Sequence, residues 1–230
     1  ESAERDPLFD HILTRRTNRE PYEARAVDSA SLVEIAQTAL GAGGIEALSI
    51  HSSDGSALRD ELRQLAWDAF LTEIQTPAAY QESIDLMRIG AAEIAAHRDG
   101  LVLDGAMIEF ARAVGLINHE IMADLDNPFV KQGYEAYRPL ALEAPAFVWI
   151  NSQDNTRTTQ IEAGRAYARL NLAATRAGFA MHPWSQALQE YPEMAALHAR
   201  AEDMLQAPGE ARVQMLVRVG YAPSVSPSPR

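Results

Sequence analysis

Residues 15–22, RRTNREPY, place Arg15, Arg16 and Arg19 within five positions, in a chain with 20 basic and 32 acidic residues. Guanidinium forks match the oxygens of a phosphate dianion, or a carbonyl gaining negative charge, and the Thr17 hydroxyl adds a donor. The same cluster also suits a solvated, salt-bridged surface. A second group lies in FAMHPWSQ, residues 179–186. There Trp184 is able to flank a flat ring, next to Pro183, and the backbone amides around Ser185 and Gln186 can meet ring heteroatoms. A core tryptophan anchoring a loop explains the same residues.

Other chemistries find little support. A formal charge of -12 opposes the broad basic face that nucleic acid requires. No stretch approaches the roughly 20 apolar residues of a membrane span. The chain has no cysteine, hence no thiolate ligand or thiol nucleophile. His119-Glu120 opens an HExxH-like pattern, but position 123 is alanine. Asp124 and Asp126 precede Asn127-Pro128, where they read as turn residues. No G-x-S-x-G context activates a serine. Glu1 in place of Met is read as the loss of an upstream segment. The compartment expected is the cytoplasm, or outside it if that segment was an export signal.

The elements that must position these residues follow from pattern. Asp6-Pro7 should cap a short helix with Leu8, Phe9, Ile12 and Leu13 on one face. Asp28 and Ser29 open a second, with Leu32, Ile35, Ala36, Ala39 and Leu40 inward and Gly41, Gly43 and Gly44 at its end. Strands are expected at about 47–52, 146–150 and 213–219, and long helices at about 56–76, 78–97, 105–123 and 128–142. Thr159 and Glu162 suggest a capping box for a helix running to Gly178, whose small residues mark it as central and buried. Pro192 starts another helix, and the Pro/Ser-rich tail has no core. The class is α+β, helix-rich, with a small, mainly antiparallel sheet. Three strands make that sheet thin, so a strand is expected from a partner or from a missing part of the fold.

Taken in order, RRTNREPYEARAV, EAGRAYARLNLAATRAGFAMHPWSQALQEYP, VQMLVRVGY and the terminal SPR resemble the nitroreductase-type FMN flavoproteins, and within them the Acg-like branch. The resemblance implies one nitroreductase-like domain over 1–230, with a flavin-binding opening at 5–22, the long helix, ring-contacting loop and last strand at 157–221, and an extended tail at 222–230. It further implies that FMN is held by Arg15, Arg16, Thr17, Arg19, Pro183, Trp184, Ser185, Gln186 and Arg230. Hydride chemistry would then belong to the cofactor, with NAD(P)H as donor and a nitroaromatic, quinone or similar small-molecule acceptor, and no side-chain acid, base or metal is obligatory. A non-catalytic, flavin-sequestering protein with a closed site is the alternative. One departure stands out: nitroreductases carry an asparagine-bearing segment after their second helix, whereas here GAGG leads directly to a strand. This resembles the second half of a fused, two-half chain, and implies either a homodimer or a missing N-terminal half, with neither nucleic acid nor membrane as partner.

Overall fold

The computed structural model describes residues 5–41, 44–53, 57–207 and 209–226. They form two compact units, one of residues up to Phe70 with Pro139–Val225, the other centred on Leu71–Arg138. In chain order the elements are α1 (Ser29–Leu40), β1 (Leu48–Ser53), α2 (Ala57–Gln75), α3 (Pro77–Asp85), β2 (Met87–Ile89), α4 (Gly90–Ala96), β3 (Leu101–Leu103), α5 (Ala106–Ala113), α6 (His119–Ala123), α7 (Pro128–Glu135), α8 (Arg138–Leu142), β4 (Ala146–Ser152), α9 (Arg157–Arg176), β5 (Ala180–Pro183), α10 (Ala195–Met204) and β6 (Arg212–Gly220).

The first unit is built on a four-stranded antiparallel sheet of order β1-β4-β6-β5. All seven residues of β4 are buried, as its unbroken apolar run requires of a strand covered on both faces. Ala146, Val148 and Ile150 pack with Val217 and Val219 of β6 against Leu32, Ile35 and Ala39 of α1 and Ala163, Ala166, Leu170, Ala173 and Ala174 of α9. Asp28 caps α1 by accepting from the Ser31 N–H at 2.9 Å, and Gly41 ends it at φ 77°. Gly43 lies outside the described residues.

Several expectations are corrected. The fourth strand, β5, comes from this chain: Met181 pairs with Val219 and Pro183 with Val217 inside the segment read as a loop. The cap of α9 is Thr156, whose hydroxyl accepts from the Thr159 N–H at 3.3 Å, while Thr159 donates its hydroxyl to Asp154. Nor is α9 buried all round, for Gly164 and Ala168 are exposed. The expected N-terminal helix is a single 3-10 turn, Phe9–His11; Leu8 enters the core while Phe9, Ile12 and Leu13 stay exposed.

In the second unit the helix expected at 78–97 divides into α3 and α4 around β2, which pairs in parallel with β3. Gly90 enforces the break: its φ of +81° suits glycine, and an added Cβ would lie 2.8 Å from Glu109 Oε1. The helices read at 105–123 and 128–142 are likewise each two. No helix among the described residues is long and apolar enough to cross a membrane.

Candidate functional site

The arginine-rich segment leaves the N-terminal turn in extended form and lies along β5. Thr17 forms a parallel bridge with Met181, and the Asn18 N–H donates to the Met181 carbonyl at 2.9 Å. Buried Asn18 extends the contact to the chain's far end, donating from Nδ2 to the Pro223 carbonyl at 2.8 Å. Glu23 donates its N–H to the Tyr221 carbonyl at 2.8 Å. The opening, the strand of the FAMHPWSQ segment and the end of β6 are therefore one structure, all within the first unit.

The three arginines divide their work. Arg16 turns back on its own segment, donating from Nη1 to the carbonyls of Leu13 at 2.9 Å and Arg15 at 2.7 Å, and its buried Nε has no partner among the described residues. Arg15 and Arg19 are exposed, and neither guanidinium hydrogen-bonds or ion-pairs with a described residue. Both lie within electrostatic reach of Tyr167 on α9. Burial raises that hydroxyl's pKa, against the neighbouring Asn171 side chain and the two positive charges. Asn171 is itself buried, with its Nδ2 donor unpartnered among the described residues.

In the second motif the side chains serve mainly to hold the segment. Trp184 is 2% exposed; its Nε1 donates to the Ala66 carbonyl of α2 at 3.0 Å, and its ring meets His182 edge-on and Phe70 at a tilt. Ser185 Oγ donates to the Leu216 carbonyl at 2.9 Å and accepts from its N–H at 3.1 Å. Pro183 closes β5, and Gln186 opens a 3-10 turn with its Oε1 buried and unpartnered among the described residues. Arg230 lies outside the described residues.

Sequence reasoning missed the group beneath these motifs. Arg218 of β6 is 1% exposed; it donates from Nε to His182 Nδ1 at 3.1 Å, from Nη1 to the Leu140 carbonyl at 3.2 Å and from Nη2 to the Glu20 carbonyl at 3.0 Å. Its guanidinium carbon also lies 4.1 Å from the centre of the Tyr22 ring. Burial, then the charges of Arg218 and Arg19, press the His182 pKa down to about 2, so the imidazole is neutral. Burial lifts the Tyr22 hydroxyl above its ordinary value, with the Arg218 charge opposing. Tyr22 donates that proton to the Asn18 carbonyl at 3.1 Å. A signal existed: an arginine inside MLVRVG interrupts an otherwise apolar stretch.

Two exposed cations without partners, beside a buried amide donor, can bind a polyanion, and neutral His182 adds no charge of its own. The nitroreductase family model matches residues 12–221, and the chain belongs to that family. Solved structures agree in fold. An iodotyrosine deiodinase bound to FMN and 3-iodo-L-tyrosine is 15% identical, with a TM-score of 0.55 over 97% of this chain and 94% of that one. The FMN-dependent nitroreductase NfnB from Mycobacterium smegmatis, in complex with NADPH, is 19% identical with a TM-score of 0.55 over 94% and 87%. A nitroreductase with bound FMN from Bacteroides fragilis is 15% identical with a TM-score of 0.52 over 97% and 92%. No curated protein matches the chain.

Proposed function

We propose that this chain is an FMN-dependent oxidoreductase that reduces nitroaromatic, quinone or similar acceptors with NAD(P)H by ping-pong hydride transfer. The observation that carries the reading is the bridge between Thr17 and Met181, which brings the partnerless guanidiniums of Arg15 and Arg19 to the strand leading into Trp184, Ser185 and Gln186. Family membership and the FMN named in the fold neighbours support it.

The residues present fit the cofactor. Arg15 and Arg19 would bind its phosphate or the electron-rich edge of its ring, with Thr17 as a further donor and Arg230 as a further cation from the tail. Arg16 would act through the backbone it organises. Asn171 Nδ2 and Gln186 Oε1 offer a donor and an acceptor that have no other partner among the described residues. Trp184 and Ser185 hold the Pro183–Gln186 segment in place. When bound, FMN supplies the hydride chemistry itself. A guanidinium beside the site stabilises negative charge that develops on reduction.

The short passage from α1 at Leu40 to β1 at Leu48 supports placement in the Acg-like branch, as a single domain corresponding to the second half of a fused chain. The remaining cofactor contacts would then come from a second copy or a companion half. The test is reconstitution with FMN, followed by NAD(P)H oxidation with nitroaromatic and quinone acceptors. Bound FMN with turnover upholds the reading. Bound FMN without turnover for any donor and acceptor pair identifies a flavin-holding protein, and failure to bind FMN, alone or as a dimer, overturns both.

A further inference from the structure

Away from that cluster, a solvent-open cavity of about 330 Å³ is lined by Tyr22, Arg25, Arg59, Arg63 and Glu143 among its polar residues. Its walls are the loop after the arginine-rich segment, the first turns of α2 and the segment before β4. The cations are held in place. Arg63 donates from Nε to the Ala144 carbonyl at 2.9 Å and from Nη1 to Asp60 Oδ1 at 2.8 Å. Arg59 reaches the same Asp60 oxygen at 3.3 Å, and Arg25 stacks with its guanidinium carbon 3.8 Å from the centre of the Tyr221 ring.

Positive charge therefore faces the cavity from two of its walls, the loop and α2. Two guanidiniums share one oxygen of an exposed carboxylate, the third is held on a neutral ring, and the carboxylate lining the cavity is Glu143. Burial and then the like charge of Arg59 hold the Arg63 pKa below its ordinary value, the mark of a cation that an added anion would stabilise. A tetrahedral oxyanion offers an oxygen in each of three directions, whereas a carboxylate is flat with two. The volume is at the low end for ligand sites, and Leu142 and Pro145 supply an apolar wall for a short carbon skeleton.

We propose that Arg25, Arg59 and Arg63 form a second anion site, separate from Arg15 and Arg19, that takes a small phosphomonoester. The site does not depend on flavin binding elsewhere, and its test removes that influence. Inorganic phosphate is titrated calorimetrically into the full chain carrying Arg15→Glu and Arg19→Glu. Saturable binding is expected. Adding Arg25→Gln and Arg59→Gln should weaken it at least tenfold, while Glu143→Gln, which removes a repelling carboxylate, should tighten it severalfold. Circular dichroism verifies the fold of each variant, and if the Arg25 and Arg59 replacement unfolds the chain, Glu143→Gln alone decides. Loss of phosphate binding in the Arg15→Glu, Arg19→Glu background, unchanged affinity without Arg25 and Arg59, or weaker binding in Glu143→Gln overturns the proposal.

Discussion

Arg218 and Glu20 meet through a 3.0 Å hydrogen bond from a buried guanidinium to a backbone carbonyl, joining the last strand to the segment that carries the arginine cluster. Replacing Arg218 with methionine leaves the Glu20 and Leu140 carbonyls and His182 Nδ1 without that donor. A destabilisation of about 2–4 kcal/mol is expected, since each buried group left unsatisfied costs roughly 1–3 kcal/mol. Urea unfolding measures it, and a loss under about 1 kcal/mol would show that the three bonds contribute little net stability. Arg218→Lys keeps the charge without the fork and should fall between the two.

The proposed flavin site predicts a different outcome for its exposed cations. Arg15→Glu with Arg19→Glu should weaken FMN by more than about tenfold, because each charge-assisted bond contributes about 1.5–3 kcal/mol. Neither side chain has a partner among the described residues, so the melting temperature of the flavin-free chain should hardly move. Unchanged FMN affinity in a fluorescence titration would remove these arginines from the site.

His182 gives a pH signature. Its folded pKa is depressed to about 2, below the ordinary 6.5, so its stabilising effect is present above about pH 6.5 and lost as the pH falls. In that range the unfolded chain takes up a proton that the native imidazole refuses, at a cost of about 1.4 kcal/mol per pH unit. Between pH 7 and 5 the wild type should therefore lose about 2 kcal/mol more than His182→Asn, which retains an acceptor for Arg218. Parallel slopes in urea unfolding at the two pH values would refute it.

Association is expected through the second unit. On and beside α5, Met107 is 79% and Phe110 65% exposed, with Val114 and Leu116 also exposed. Light scattering should give twice 25.2 kDa, and Phe110→Glu should shift the protein toward monomer. A flavin-loaded wild-type monomer would show that one copy suffices.

Legibility in the sequence followed the strength of local signals. α1 was readable because Asp28, the inward Leu32, Ile35 and Ala39, and Gly41 agree, and β4 because a run such as AFVWI suits a doubly covered strand. β5 escaped because Ala180–Pro183 has no alternation: adjacent Met181 and His182 are both buried, and its strand character comes from pairing with β6. The break between α3 and α4 escaped because Gly90 inside an alanine-rich stretch does not announce a positive φ. At the site, the residue types of both motifs were visible. That Trp184 and Ser185 serve the scaffold, and that Arg218 ties it together, depends on partners distant in the chain.

The bond from Asn18 to Pro223 spans 205 positions, which has a consequence for the order of events during synthesis. Residues 15–19 emerge long before the strand they lie on and the carbonyl that fixes them. Until those elements follow, the cluster is a cationic segment in an acidic chain, without the strand that aligns Arg15 and Arg19. A cofactor held there would be acquired only after residue 223 has cleared the ribosome. Nascent chains halted before β6 should therefore be unable to capture it, even with every residue of the arginine cluster present.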